Sequence, residues 1–155
     1  MILSNQLKEH LKGPIGIFIA TRDKNLDCDA ARVLGALASG HDTIKFYLGE
    51  KFADKTLDNL RSNKLVSLSA TNVFTLESFQ FKGRLLSIRP TNEEESNAVS
   101  EYVNQFDEAV TKLGYRQGIV LDNTVYNPSL AVEFIVDQIF DQTPKAGAGK
   151  QLATV

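Results

Sequence analysis

Ser78-Phe79-Gln80-Phe81-Lys82-Gly83-Arg84-Leu85 alternates as a β-strand with two unlike faces. Successive side chains of a strand point to opposite sides. Phe79, Phe81, Gly83 and Leu85 therefore share one face, and Ser78, Gln80, Lys82 and Arg84 share the other. One face packs and the other is polar.

Upstream, Leu65 to Thr71 reads as the preceding strand. Before it comes a short helix, opened by Asp54-Lys55-Thr56 and closed by Asn63-Lys64, with Phe52, Leu57 and Leu60 as its apolar face. Asp54 is the expected N-cap, because an Asp side chain accepts hydrogen bonds from the amides that follow it. Cys28 to Ala38 and Ile44 to Gly49 form a hairpin through Ser39-Gly40-His41-Asp42. Ile15 to Thr21 is so continuously apolar that it predicts a strand buried on both faces. Ser4 caps a short helix carrying Leu7 and Leu11, which Gly13-Pro14 stops.

Downstream, Thr91 and Glu94 stand at capping-box spacing behind Pro90. Val99, Tyr102, Val103, Phe106, Ala109, Val110 and Leu113 then recur at three and four residues, predicting a long amphipathic helix that ends at Gly114 and lies across the sheet. Tyr115 to Asn127 has no clear period, and Ile119-Val120-Leu121 reads as a brief strand or turn. Leu130 to Phe140 is the last strand, and the Gly/Ala-rich tail from Thr143 to Lys150 is expected to be irregular. About six strands, joined mostly by turns with few crossover helices, predict a mainly β fold with flanking helices: a six-stranded antiparallel barrel forming one domain over residues 1–155.

Composition narrows the function. The 43% hydrophobic and 23% charged content is that of a globular chain. A formal charge of −2 and a pI near 5.7 exclude a broad basic face for nucleic acid, so any anion site must be local. Cys28 is the only cysteine, which rules out an intrachain disulfide and fits a reducing cytoplasm. The charged Lys8 and Glu9 do not suit a signal peptide, and the apolar runs are too short to span a bilayer. His10 and His41 lack metal-ligand spacing, so no metal site is expected. No Gly-x-Ser-x-Gly elbow is present, and no catalytic acid, base or nucleophile stands out.

Three places invite a ligand. Lys55 and Thr56 open a helix, where free backbone amides and the dipole favour an anion, although a solvated first turn would look the same. Arg32 interrupts a small, apolar strand. A guanidinium there must reach solvent or find an anion, and Asp29, Glu77 or a phosphate would serve equally. Ser78 and Gln80 share the wet face of their strand, where Gln80 can both donate and accept.

In their order and spacing these parts resemble the FMN-binding split-barrel family that includes pyridoxamine 5'-phosphate oxidase. The resemblance runs from about Gly13 to Gly149 and rests on Arg32-Val33-Leu34, Ile44-Lys45-Phe46-Tyr47, Lys55-Thr56 with Leu60 and Asn63, Ser78 to Gly83, and Phe140-Asp141-Gln142-Thr143-Pro144. It implies FMN as cofactor, bound at the subunit interface of a homodimer. Arg32 and Lys55 would hold the phosphate with help from Thr56, where the oxidases usually carry a second basic residue. Val33 and Leu34 would run along the cofactor through their backbone, Tyr47 would lie beside it, and Ser78 and Gln80 would reach the ring, Ser78 standing where the oxidases often have Gln. The implied activity is that of a flavin-dependent oxidoreductase of unassigned substrate, taking electrons from a donor such as NAD(P)H. The oxidases' C-terminal Arg-x-His segment is absent, since no histidine follows His41, which argues against pyridoxamine 5'-phosphate oxidation itself. Alternatives are a non-enzymatic flavin-binding or dimeric interaction protein, or a related barrel binding haem or a deazaflavin.

Overall fold

The computed structural model describes residues 3–154. The strands are β1 (Ile15–Arg22), β2 (Cys28–Ala38), β3 (Thr43–Gly49), β4 (Leu65–Asn72), β5 (Ser78–Pro90), β6 (Ser129–Asp141) and β7 (Lys150–Thr154). The helices are α1 (Asn5–His10), α2 (Asp54–Asn63), α3 (Glu93–Lys112) and α4 (Ile119–Asp122), with a single 3-10 turn, Glu50–Phe52, ahead of α2. The strands lie in the order β3-β2-β1-β4-β5-β6-β7, every pairing described is antiparallel, and β3 also pairs with β6. That last pairing closes a six-stranded barrel with β7 outside it. Closure leaves no open edge on the six strands, which is how an antiparallel sheet of this size avoids unpaired backbone.

The barrel is filled by alternate residues from each strand, among them Ile17, Ile19, Val33, Phe46, Leu68, Phe81, Phe134 and Ile139. A second core lies outside the barrel wall, where α3 sets Val99 and Val103 against Leu34, Tyr47 and Ala131, with Val120 of α4 beside them. Tyr102 ties the start of β1 to α3 by donating from its hydroxyl to the Ile15 carbonyl at 2.7 Å.

Several local expectations change. β1 is buried on one face only, and Phe18 on the other is 55% exposed. Ala53, not Asp54, is the N-cap of α2, without a side-chain cap hydrogen bond, and Asp54 falls in the first turn. The capping box of α3 is Asn92 with Glu95, not Thr91 with Glu94. Thr91 instead bonds Ser96 and Ser129. Residues 119–122 form the short helix α4. The tail is not irregular throughout, since Lys150–Thr154 pairs with β6. The side chain of Phe52 lies outside the described residues.

Candidate functional site

Arg32 sits on the outer face of β2, half-buried, with its guanidinium carbon 4.8 Å from the centre of the Phe106 ring of α3. Among the described residues it makes no ion pair. Both acids that could have matched it are engaged elsewhere: Asp29 accepts from Thr56 Oγ1 at 2.5 Å, and Glu77 meets Gln6 and His10. Arg32 and Leu34 line a pocket of about 210 Å³ with Gly49, Ala53 at the start of α2, and Asn123 and Thr124 beyond α4. Thr124 Oγ1 is buried with no hydrogen-bond partner, alone in this among the described residues. Arg32 and Asn123 also border an adjoining, more open cleft of about 620 Å³ whose walls include Val110, Leu113, Tyr115 and Ile119. Arg32, a cation without an acid partner, and Ala53, the N-cap of α2, thus border one small space, an arrangement suited to an anion.

The segment that carries Thr124 is firmly seated. Asp107 on α3 accepts from the amides of Gly118 and Val120, both at 2.8 Å, and so caps α4. Burial alone would raise its pKa, but the backbone donors outweigh this and hold it below the usual aspartate range. On the other side, a Cβ at position 49 would stand 2.6 Å from the Val125 carbonyl oxygen. Glycine at the end of β3 is what lets this backbone approach so closely.

The sequence-derived site residues do not all converge. Lys55 is exposed, in the first turn of α2. Thr56 is fully buried, its hydroxyl committed to Asp29, so only its backbone amide remains to meet an anion. Val33 points into the barrel and is fully buried. Leu34 and Tyr47 lie beneath α3 in the second core, with Leu34 also touching the Arg32 pocket. Burial, then the negative charge of Glu95, raises the Tyr47 pKa.

Ser78 and Gln80 stand on another part of the same outer surface. Ser78 is buried and shares a 2.7 Å hydrogen bond with Thr71. The Gln80 amide nitrogen donates to Ser67 and its oxygen accepts from Gln142. Gln80 and Ser67 line an open groove of about 420 Å³ with Ala20, Arg22 and Lys82. Strand register joins the two regions: Arg32 pairs with Phe18, Phe18 with Ser69, and Ser69 with Gln80. Directly paired residues share a face, so Arg32 and Gln80 end a row about 14 Å long, three strand spacings, with the exposed ring of Phe18 between them. Sequence reasoning missed Phe18 and Phe106, aromatics that read as core.

This architecture can be compared with solved structures. HupZ of Group A Streptococcus matches with a TM-score of 0.58 at 14% identity, over 96% of this chain and 100% of that one. A candidate pyridoxamine 5'-phosphate oxidase of Lactobacillus delbrueckii matches with a TM-score of 0.56 at 12% identity, over 90% and 93% of the two chains. The fold is the split barrel of the pyridoxamine 5'-phosphate oxidase-like proteins. An F420 reductase shares this split barrel, with a TM-score of 0.54 at 12% identity over 88% and 98%. No family model and no curated protein matches the sequence. Among the described residues of this split barrel, no helix is long and apolar enough to cross a membrane, and no three His, Cys, Asp or Glu side chains stand together as a metal site.

Proposed function

We propose that this split barrel binds FMN across the outer faces of β2, β1, β4 and β5, and works as a flavin-dependent oxidoreductase. The observation that carries the reading is the row from Arg32 through Phe18 and Ser69 to Gln80, with a cation lacking any acid partner at one end and an amide at the other. A phosphate belongs at Arg32, aided by Lys55 and the Thr56 amide, with the Val33 and Leu34 backbone alongside. The ring belongs nearer Ser78 and Gln80. Tyr47 contributes from beneath, by holding Leu34 and α3 in place. When bound, the flavin supplies the electron chemistry, while the chain binds, orients and shields it. A strip this open, bearing the exposed Phe18, is covered by a second copy of the chain in a cytoplasmic homodimer. The electron donor is a nicotinamide nucleotide, and the acceptor is a small molecule.

The first test is the absorbance spectrum of the purified protein. A flavin spectrum, or tight uptake of added FMN, is expected; protein that is colourless and takes up no FMN refutes the reading. A deazaflavin or haem spectrum would replace FMN with that group. The second test replaces Arg32 and Lys55 together by Ala, which should weaken FMN at least ten-fold and leave riboflavin nearly unchanged, since hydrogen bonds to charged groups are worth about 1.5–3 kcal/mol each. Equal losses for both flavins would mean a folding defect. Reduction of bound FMN by NADH or NADPH under anaerobic conditions separates an enzyme from a flavin carrier.

A further inference from the structure

Two residues further along each strand, the row from Arg32 to Gln80 has a parallel neighbour on the same outer face. Lys82 pairs with Ser67, Ser67 with Ala20, and Ala20 with Ala30. Arg22 comes one step beyond Ala20 on β1, opposite Cys28. Ala20, Arg22, Cys28, Ser67 and Lys82 all line the open groove of about 420 Å³ that Gln80 also borders, a volume in the range of small-molecule sites.

The groove carries an excess of positive charge. Among the described residues neither Arg22 nor Lys82 has an acid partner: Arg22 donates to the Asp23 carbonyl at 3.2 Å, and the Lys82 ammonium lies 4.8 Å from the centre of the Phe140 ring. Asp137, the acid that lines the groove with them, is taken by Arg84, which donates to its two oxygens at 2.9 and 3.0 Å. The Asp23 carboxylate accepts from the amides of Asn25 and Asp27. Two strand spacings and one step along β1 set the backbones of Arg22 and Lys82 about 12 Å apart. The residues between them, Ser67 and Ala20, are small, and both cationic side chains are long enough to meet on one oxyanion above that floor.

We infer that this groove is an oxyanion site, in which Arg22 and Lys82 hold the phosphate or carboxylate of the small molecule that exchanges electrons with the flavin. A guanidinium matches two oxygens of either group, and an ammonium adds a point charge. The role toward a flavin rests on the FMN reading, which sets the ring near Gln80, whereas the anion site itself is argued from the two unpaired cations and the groove they line. Arg32 does not line this groove, so the flavin phosphate and the partner's anion have separate places.

The test titrates the full chain with inorganic pyrophosphate at physiological ionic strength, following the Ala20 and Ser67 amides by NMR. Saturable shifts at both are expected. Replacing Arg22 and Lys82 together by Gln should weaken the anion about ten-fold or more, while the charge-keeping pair Arg22→Lys with Lys82→Arg stays close to the parent. Absence of saturable shifts in the parent, unchanged affinity in the Gln pair, or equal losses in both pairs overturns the site. Where flavin is bound, anaerobic reduction by NADH and by the uncharged 1-methyl-1,4-dihydronicotinamide identifies the source of the anion. A ten-fold rise in KM for NADH alone in the Gln pair supports the donor's phosphates as the occupant. Unchanged reduction by both donors, alongside the loss of pyrophosphate, supports the acceptor's phosphate or carboxylate. Equal slowing with both donors overturns the role as a partner site, since the flavin itself is then disturbed. A parent protein that takes up no flavin refutes the FMN reading, and the pyrophosphate titration still decides the groove.

Discussion

Replacing Glu95 by Gln should destabilise the protein by about 2 kcal/mol at neutral pH. Its carboxylate accepts from both terminal nitrogens of Arg89 at 2.7 Å, from Lys45 Nζ at 2.9 Å and from the Asn92 amide at 3.1 Å. One side chain thus joins the end of β5, the middle of β3 and the first turn of α3. Hydrogen bonds from Arg89 outweigh the burial that would raise its pKa and, with Lys45 and the Asn92 amide, hold it down to about 2. Measured against the unperturbed 4.5, that shift is worth a little over 3 kcal/mol by linkage. Arg89 is 45% exposed, so screening reduces the figure to about 2 kcal/mol. Gln keeps the cap on Asn92 but removes the carboxylate that Arg89 and Lys45 both bond. Thermal melts should show a drop of roughly 4–8 °C at pH 7 for a chain of this size. The sign of the pH effect follows from the lowered pKa: the stabilisation is complete above about pH 5 and is lost as pH falls through 4.5 toward 2. The gap between parent and variant should therefore shrink by more than half by pH 3. A gap below 0.5 kcal/mol at pH 7, or one that does not change with pH, would refute the reasoning.

Two further outcomes follow from packing. Gly83→Ala should cost about 3 kcal/mol, because the added methyl collides with the Ile135 carbonyl oxygen at the bulge between β5 and β6; near-parent denaturant midpoints would contradict this. Phe18→Glu should turn the proposed homodimer into a monomer by light scattering after gel filtration and weaken FMN with it, since a charge would then sit at the centre of the covered strip. A parent protein that is already monomeric would remove the dimer from the reading.

The barrel was legible because its strands carry period-two patterns bounded by turns, most clearly in β5, whose packing face of Phe79, Phe81 and Gly83 is buried as read. What escaped the sequence escaped for specific reasons. Gly147 and Gly149 made the tail look unstructured, yet both adopt positive φ and turn the chain back so that β7 can pair with β6. At α3 two overlapping capping boxes share one spacing, and propensity cannot rank them. Glu95 prevails because Arg89 and Lys45, from other strands, hold its carboxylate. For Arg32 the sequence offered solvent or an anion, and the fold adds a third neighbour, the face of Phe106, brought over it by α3. The small pocket beside Arg32 left no mark at all, since it is a cavity assembled from β2, β3 and the connection between β5 and β6.

The two ends of the proposed site therefore depend on different parts of the fold. Gln80 and Ser67 are fixed by sheet pairing alone, through β4 and β5. The Arg32 guanidinium, carried by β2, is steadied instead by Phe106 of α3, and the facing pocket wall by Asp107 capping α4, both in the connection between β5 and β6. Glu95 anchors that same connection at its other end, so loosening α3 should act first on the grip on a phosphate and only later on the strip along β1, β4 and β5. Burying Leu34 and Tyr47 under α3 gives the proposed phosphate end a rigid wall within one chain, while the strip toward Gln80, open in a single chain, is the part that the proposed second copy covers.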